Sequence, residues 1–210
     1  MESQNTISLG FTSQKLPRGS HVCQIFSRDD ERQESLLKFI LSGLNSNDRT
    51  SCFSDKTDLN AVEEFLSNYG ISYSEAEKAG AFALAGTTEV YYKENRFDPE
   101  RMLKILSGYY EDSKAMGFSG ARIIGEMTPQ VQDIPGGNRL LEYEARVSLL
   151  LREHPVTAVC QYDSRSFDGS VIMDILKVHP LMVLRGSIVH NPFFVEPEDF
   201  LSKNNDFGRE

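Results

Sequence analysis

The sequence predicts a three-layer α/β domain: a mostly parallel sheet flanked by helices on both faces, with an antiparallel hairpin at the C-terminal edge. Three observations carry that reading. Apolar runs at residues 21–26, 81–86, 121–127 and 156–162 have the length and composition of buried strands, and residues 49–54 read as a further short strand. Stretches of helical periodicity separate most of them, giving the crossover length that parallel neighbours require. Last, the apolar segments 181–184 and 187–190 are joined by Arg185-Gly186, the spacing of a tight hairpin.

Residues 1–17 are rich in Ser, Gln and Thr around one apolar cluster, Ile7, Leu9 and Phe11, and are expected to be a flexible lead-in that packs only locally. The domain proper is expected over residues 18–202. It opens with the strand His21-Val-Cys-Gln-Ile-Phe26, the turn Ser27-Arg-Asp-Asp-Glu31 and a helix. In that helix Leu36, Leu37, Ile40, Leu41 and Leu44 form one face, and Arg32, Glu34, Lys38 and Ser42 are expected largely on the other. After the second strand, residues 58–69 form a helix with Val62, Phe65, Leu66 and Tyr69 on one side, stopped by Gly70. The third strand leads into a polar segment, residues 87–95. Asp98-Pro99-Glu100 then supplies a side-chain cap, a proline at the first helical position and an acid in the first turn of a helix running to Met116. The fourth strand ends in Gly125-Glu126-Met127, and residues 128–138, with Pro129, Pro135, Gly136 and Gly137, read as the most flexible connection. Residues 140–153 form a helix with a Glu142/Arg146 pair one turn apart, and residues 168–178 form another. Residues 192–201 close the domain, and residues 203–210 are expected to be a flexible tail.

Composition narrows the function classes. The 22 basic residues against 31 acidic ones give a net charge of −9, with no basic block, which argues against a nucleic-acid or anionic-membrane surface. No apolar run approaches the roughly 20 residues of a membrane span, no leader pattern is visible, and a cytoplasmic setting is expected. Cys23, Cys52 and Cys160 are odd in number and far apart, which fits packed thiols better than disulfides. His21 and His190 have no second His or acid at ligand spacing, His179 suffices as a cap for the preceding helix, and no metal site or cofactor is expected. No nucleophile elbow and no Cys beside a local base point to covalent catalysis, and no catalytic residue is assigned.

The first strand–helix turn is the informative one. A nucleotide-binding α/β protein places glycines and a Lys-Ser or Lys-Thr pair there, so that bare N–H groups and an ammonium hold phosphate. Here that turn has no glycine and no lysine, and Asp29, Asp30 and Glu31 already occupy the positive end of the helix. Asp30 as cap with Gln33 three residues on would explain two of these residues, leaving Arg28 and Glu31 over. Ligands in such sheets sit beyond the carboxyl ends of the strands. That rule nominates Ser27 to Glu31, Asp55, Thr87 to Glu89, Glu126 with Met127, and Tyr162 with Asp163, and Arg28, Glu31, Glu126, Met127, Gln161 and Tyr162 are taken as the binding residues, with Glu126 the polar anchor. A glutamate ending a buried strand must find a polar partner, such as Arg122 or Arg28, or show a raised pKa.

Several short motifs in order resemble those of the MEDS domain, the methanogen/methylotroph, DcmR-type sensory domain: His21-x-Cys23 with the acidic turn, Ser42-Gly43-Leu44, Phe97-Asp98-Pro99, and Arg122 with Gly125-Glu126-Met127. Leu141-Glu142-Tyr143-Glu144, Cys160-Gln161-Tyr162, His179-Pro180 and Asn191-Pro192 complete the set, over residues 18–202. The resemblance implies a RecA/KaiC-like P-loop NTPase fold whose phosphate loop has decayed, used as a non-catalytic signal-input module for small hydrocarbon-derived or C1 compounds. It also implies an output through a partner such as a histidine kinase or a transcription regulator, since no output domain is recognisable in the chain. A nucleotide-binding protein or NTPase with an atypical phosphate loop, and a ligand-free interaction scaffold, are the competing classes at this point.

Overall fold

The computed structural model describes residues 6–203. Seven strands form the main sheet in the order β5-β4-β6-β7-β3-β8-β9, where β3 is His21–Phe26, β4 Asp48–Phe53, β5 Phe82–Ala85, β6 Gly120–Met127, β7 Val156–Asp163, β8 Leu181–Leu184 and β9 Ser187–His190. Every pairing is parallel except the terminal β8–β9 hairpin. Helices α1 (Asp29–Asn45) and α2 (Leu59–Ser67) cover one face through Leu36, Phe39, Ile40, Val62 and Leu66. On the other face lie α5 (Pro99–Ala115), α6 (Leu140–Glu153) and α7 (Gly169–Val178), contributing Met102, Leu106, Tyr143, Val147, Leu151, Ile175 and Leu176. At α6, α8 (Pro197–Lys203) docks Phe200 beside Ala145.

The lead-in departs from expectation. Residues 6–8 and 15–17 form an antiparallel pair, β1 (Thr6–Ser8) and β2 (Lys15–Pro17), and bury Ile7, Leu9 and Leu16 against α1. The reason is a buried ion pair. Arg122, fully enclosed on β6, binds the Asp48 carboxylate through two nitrogens and donates to the Ser8 carbonyl oxygen at 3.0 Å, while Arg18 reaches Asp48 at 2.7 Å. Gly43 in α1 makes room for this: a Cβ there would meet Thr50 Oγ1 at 2.2 Å and Arg122 Cδ at 2.8 Å. Residues 1–5 and 204–210, including most of the expected tail, lie outside the described residues.

Two connections carry short helices. Residues 73–78 add a helix, α3, capped by Ser72, whose hydroxyl accepts from the Glu75 N–H, and residues 87–91 form a short helix, α4, that buries Tyr91. Residues 128–138 fold into two tight turns with Val131 buried. Gly136 lies in the left-handed region at φ 84°, and its Cβ would strike the Phe97 carbonyl oxygen. Prolines and glycines there mark sharp, packed turns, not looseness.

Candidate functional site

Strand register sets a row of polar side chains across the α1 face. Gln24 on β3 lies beside Gln161 on β7, which lies beside Glu126 on β6, and Ser54 follows the end of β4. All four are at least nine-tenths buried. The Gln161 amide donates to Gln24 Oε1 at 2.9 Å and to the Arg32 carbonyl at 3.2 Å, and Gln24 donates to Ser35 Oγ at 2.8 Å. Glu126 accepts from Ser54 Oγ at 3.2 Å and from Lys56 Nζ at 2.6 Å, so it meets the partner requirement with residues other than Arg122 and Arg28. Gly125 leaves the opposite side open for Tyr91, whose hydroxyl a Cβ would meet at 2.5 Å.

Over the carboxyl ends of these strands the charges close into a ring of alternating sign. Glu126 pairs with Lys56 at 2.6 Å, Lys56 with Asp163 at 3.8 Å, and Asp163 with Arg165 at 2.8 Å. Arg165 meets Asp29 at 3.2 Å, Asp29 meets Arg32 at 4.0 Å, and Arg32 returns to Glu126 at 3.9 Å. Three acids thus face three bases. The Arg165 hydrogen bonds outweigh partial desolvation and hold the Asp163 carboxyl down at about 2. Lys56 covers Glu126 from the solvent side, its side chain 46% exposed while that of Glu126 is 2% exposed. A ring without net charge offers phosphate no counter-charge, and only Ser27 and Arg28 separate β3 from α1, so the long anion-cradling loop has no counterpart.

The six nominated residues do not share one pocket. Arg28 lies outside, its side chain 71% exposed and paired with Asp30, and Glu31 is exposed in the first turn of α1. Asp30 is not the cap: Arg28 occupies the N-cap position, and Asp30 accepts from its guanidinium and from the Glu31 N–H. Adjacent strand residues point to opposite faces, which divides the other four. Glu126 and Gln161 face α1. Met127 and Tyr162 face α6, where Tyr92 donates to Met127 Sδ at 3.4 Å and Tyr162 donates to Glu144 Oε1 at 2.6 Å.

Arg32 is the residue placed on the wrong side. It is 2% exposed, donating to Ser54 Oγ at 3.4 Å and Thr57 Oγ1 at 3.3 Å. The signal was present, because Arg32 precedes Leu36 and Ile40 by four and eight positions and so continues their stripe. Glu144 escaped in the same way, between Leu140 and Val147 on the buried stripe of α6. It brings His21, Cys160 and His179 together, with one ligand atom from each of the four residues within 4.8 Å of the others. The sequence holds no second His or acid at ligand spacing from His21, but the fold brings such partners from α6, β7 and the α7–β8 junction, far away in sequence.

Comparison with known proteins agrees with this architecture. The KaiC-like protein of the hyperthermophilic archaeon Pyrococcus horikoshii OT3 superposes with a TM-score of 0.57 at 12% identity, over 84% of this chain and 78% of that one. The flagellar accessory protein FlaH of Methanocaldococcus jannaschii gives 0.63 at 10% identity, over 88% and 84%. Both show the fold alone. No curated protein matches by sequence, and among the described residues no helix is long and apolar enough to cross a membrane. The family profile described as MEthanogen/methylotroph, DcmR Sensory domain matches residues 20–180. With that match over most of its length, and with a two-residue turn and an acidic first helical turn where a nucleotide-binding relative would carry its phosphate loop, the chain belongs to the MEDS family, a sensory domain built on a degenerate RecA/KaiC-like fold.

Proposed function

We propose that the domain is a non-catalytic input module that binds a small molecule at the carboxyl ends of β6 and β7 and passes the change to a partner protein such as a histidine kinase or a transcription regulator. The observation that carries the reading is the neutral charge ring over Glu126. In this fold class the strand-end crevice is the ligand position, and here a buried carboxylate is covered by a lysine that is nearly half exposed. A ligand with a hydrogen-bond donor or a cationic head can take the place of Lys56 on Glu126. Residues 54–58 carry Lys56 and lead into α2, so exchange at Glu126 moves a segment at the surface. Compact hydrocarbon-derived or C1 compounds are the class that family membership suggests.

Thermal-shift screening of methylated and halogenated C1 compounds tests this. A ligand at a hundredfold its Kd adds about 2.7 kcal/mol to the folded state, worth roughly 5 °C or more in a chain of this size. Lys56→Gln is expected to keep or strengthen the shift, and Glu126→Gln to abolish it. No shift with any member of the screen would sink the reading. The neighbours' fold keeps nucleotide binding as the rival; a Mg-ATP-dependent shift lost in Arg32→Gln would favour it.

A further inference from the structure

We propose that His21, Glu144, Cys160 and His179 form a four-coordinate site for a divalent transition metal of the zinc class, on the sheet face opposite the charge ring. All four donor atoms lie within 4.8 Å of one another, and four of the six distances between them are close to the edges of a tetrahedral site. His21 Nε2 lies 3.3 Å from Glu144 Oε2, His179 Nε2 lies 3.6 Å from the same oxygen, and Cys160 Sγ lies 3.5 Å from His21 Nε2 and 3.8 Å from Glu144 Oε2. A tetrahedron with metal–nitrogen or metal–oxygen bonds of about 2.0 Å and a metal–sulfur bond of about 2.3 Å has edges of roughly 3.3–3.7 Å. Two imidazoles, one thiolate and one carboxylate are a donor set suited to zinc, and a thiolate selects against magnesium and calcium.

Hydrogen bonding behind the donors points the same way. His179 Nδ1 faces the Ile175 carbonyl oxygen at 2.8 Å, an acceptor only, so this nitrogen carries the proton and Nε2 presents a lone pair. That Nε2 is fully buried and, among the described residues, has no hydrogen-bond partner. Ser148 donates to the Val178 carbonyl at 3.4 Å and so is free to accept from His21 Nδ1 at 2.9 Å, leaving the second Nε2 lone pair inward as well. Tyr162 holds the remaining Glu144 oxygen at 2.6 Å. Each of these three donors is thus oriented from behind, as the outer shell of a metal site orients its ligands. Without a cation, lone pairs of two rings face one carboxylate in a dry interior, a costly arrangement that a 2+ ion relieves. Binding releases the Cys160 thiol proton; thiolate and carboxylate then balance the ion's charge. A cleft of about 460 Å³, lined by His21, Ser148, Pro180, Leu181 and His190 among others, opens on the His21 side and provides a route.

The test is titration of the reduced, full chain with Co(II), read by absorbance, followed by displacement with Zn(II) and measurement of Tm. One equivalent of cobalt is expected to give intense tetrahedral d–d bands and a thiolate-to-cobalt charge-transfer band, and zinc to bleach both and raise Tm. Cys160→Ser, checked for folding by circular dichroism, should lose the charge-transfer band, whereas Cys23→Ser, on the same face but outside the donor set, should keep it. Ser148→Ala should weaken binding about 10- to 100-fold. His179→Gln should lose tetrahedral binding; if it does not fold, Cys160→Ser decides. Absence of a one-equivalent cobalt spectrum in the wild type, or a spectrum unchanged by Cys160→Ser, overturns the site.

Discussion

The two faces of the sheet hold buried polar groups on different terms. On the α1 face each charge around Glu126 has an opposite partner, and the ring Glu126, Lys56, Asp163, Arg165, Asp29, Arg32 closes on itself. On the α6 face Glu144 meets two histidine nitrogens and a cysteine sulfur, with no Lys or Arg among its ion-pair partners. The first cluster is complete with the protein's own charges. The second has donor atoms in excess of protons, which is why it suits a cation and the first does not.

The same substitution on each face gives the widest contrast. Glu126→Gln leaves the Arg32 guanidinium buried opposite a neutral amide and should cost about 3 kcal/mol in urea unfolding, the scale of a broken buried pair. Glu144→Gln in metal-free protein supplies an amide donor to lone pairs that lack one, and should cost no more than about 1 kcal/mol. A cost near 3 kcal/mol at both sites would mean that His21 carries a proton, and the two clusters would then be alike. A smaller effect is expected at Gln161→Leu. It strands Gln24 Oε1 and the Arg32 carbonyl, for about 1–2 kcal/mol by the same measurement.

The smallest effect concerns acid stability. Asp163 has its pKa lowered from 3.8 to about 2, chiefly by Arg165. A depressed carboxylate stabilises the fold fully above its unfolded value and loses that contribution as pH falls through the folded one. Arg165→Ala should therefore lower stability modestly at pH 7, where that contribution is whole, with the deficit shrinking through the window between about 4 and 2, so that the acid limb of the stability curve becomes flatter. An unchanged acid limb would remove Arg165 from the ring.

Legibility followed sequence distance. Asp98-Pro99 begins α5 with its carboxylate accepting from the Glu100 and Arg101 N–H groups, as the motif predicts. His179 caps the Ile175 carbonyl, and Glu142 pairs with Arg146 at 3.0 Å. Those contacts span two to four residues, and local geometry fixes them. Grouping Gln161 with Tyr162, or Glu126 with Met127, in one pocket overlooked the two-residue period of a strand, which the sequence does contain. Arg32 and Glu144 were hidden by their chemistry: a charge on an apolar stripe reads as an interruption until its partner is known.

From the sequence alone came the alternating strands and helices, the hairpin at the edge and the missing phosphate loop, because periodicity, caps and turn residues act over a few positions. Tertiary structure alone decided which buried charges meet. Lys56 reaches Glu126 across 70 residues and His21 reaches Cys160 across 139. Parallel crossovers bring such positions side by side, and a carboxylate taken out of water is tolerable only where a partner arrives with it.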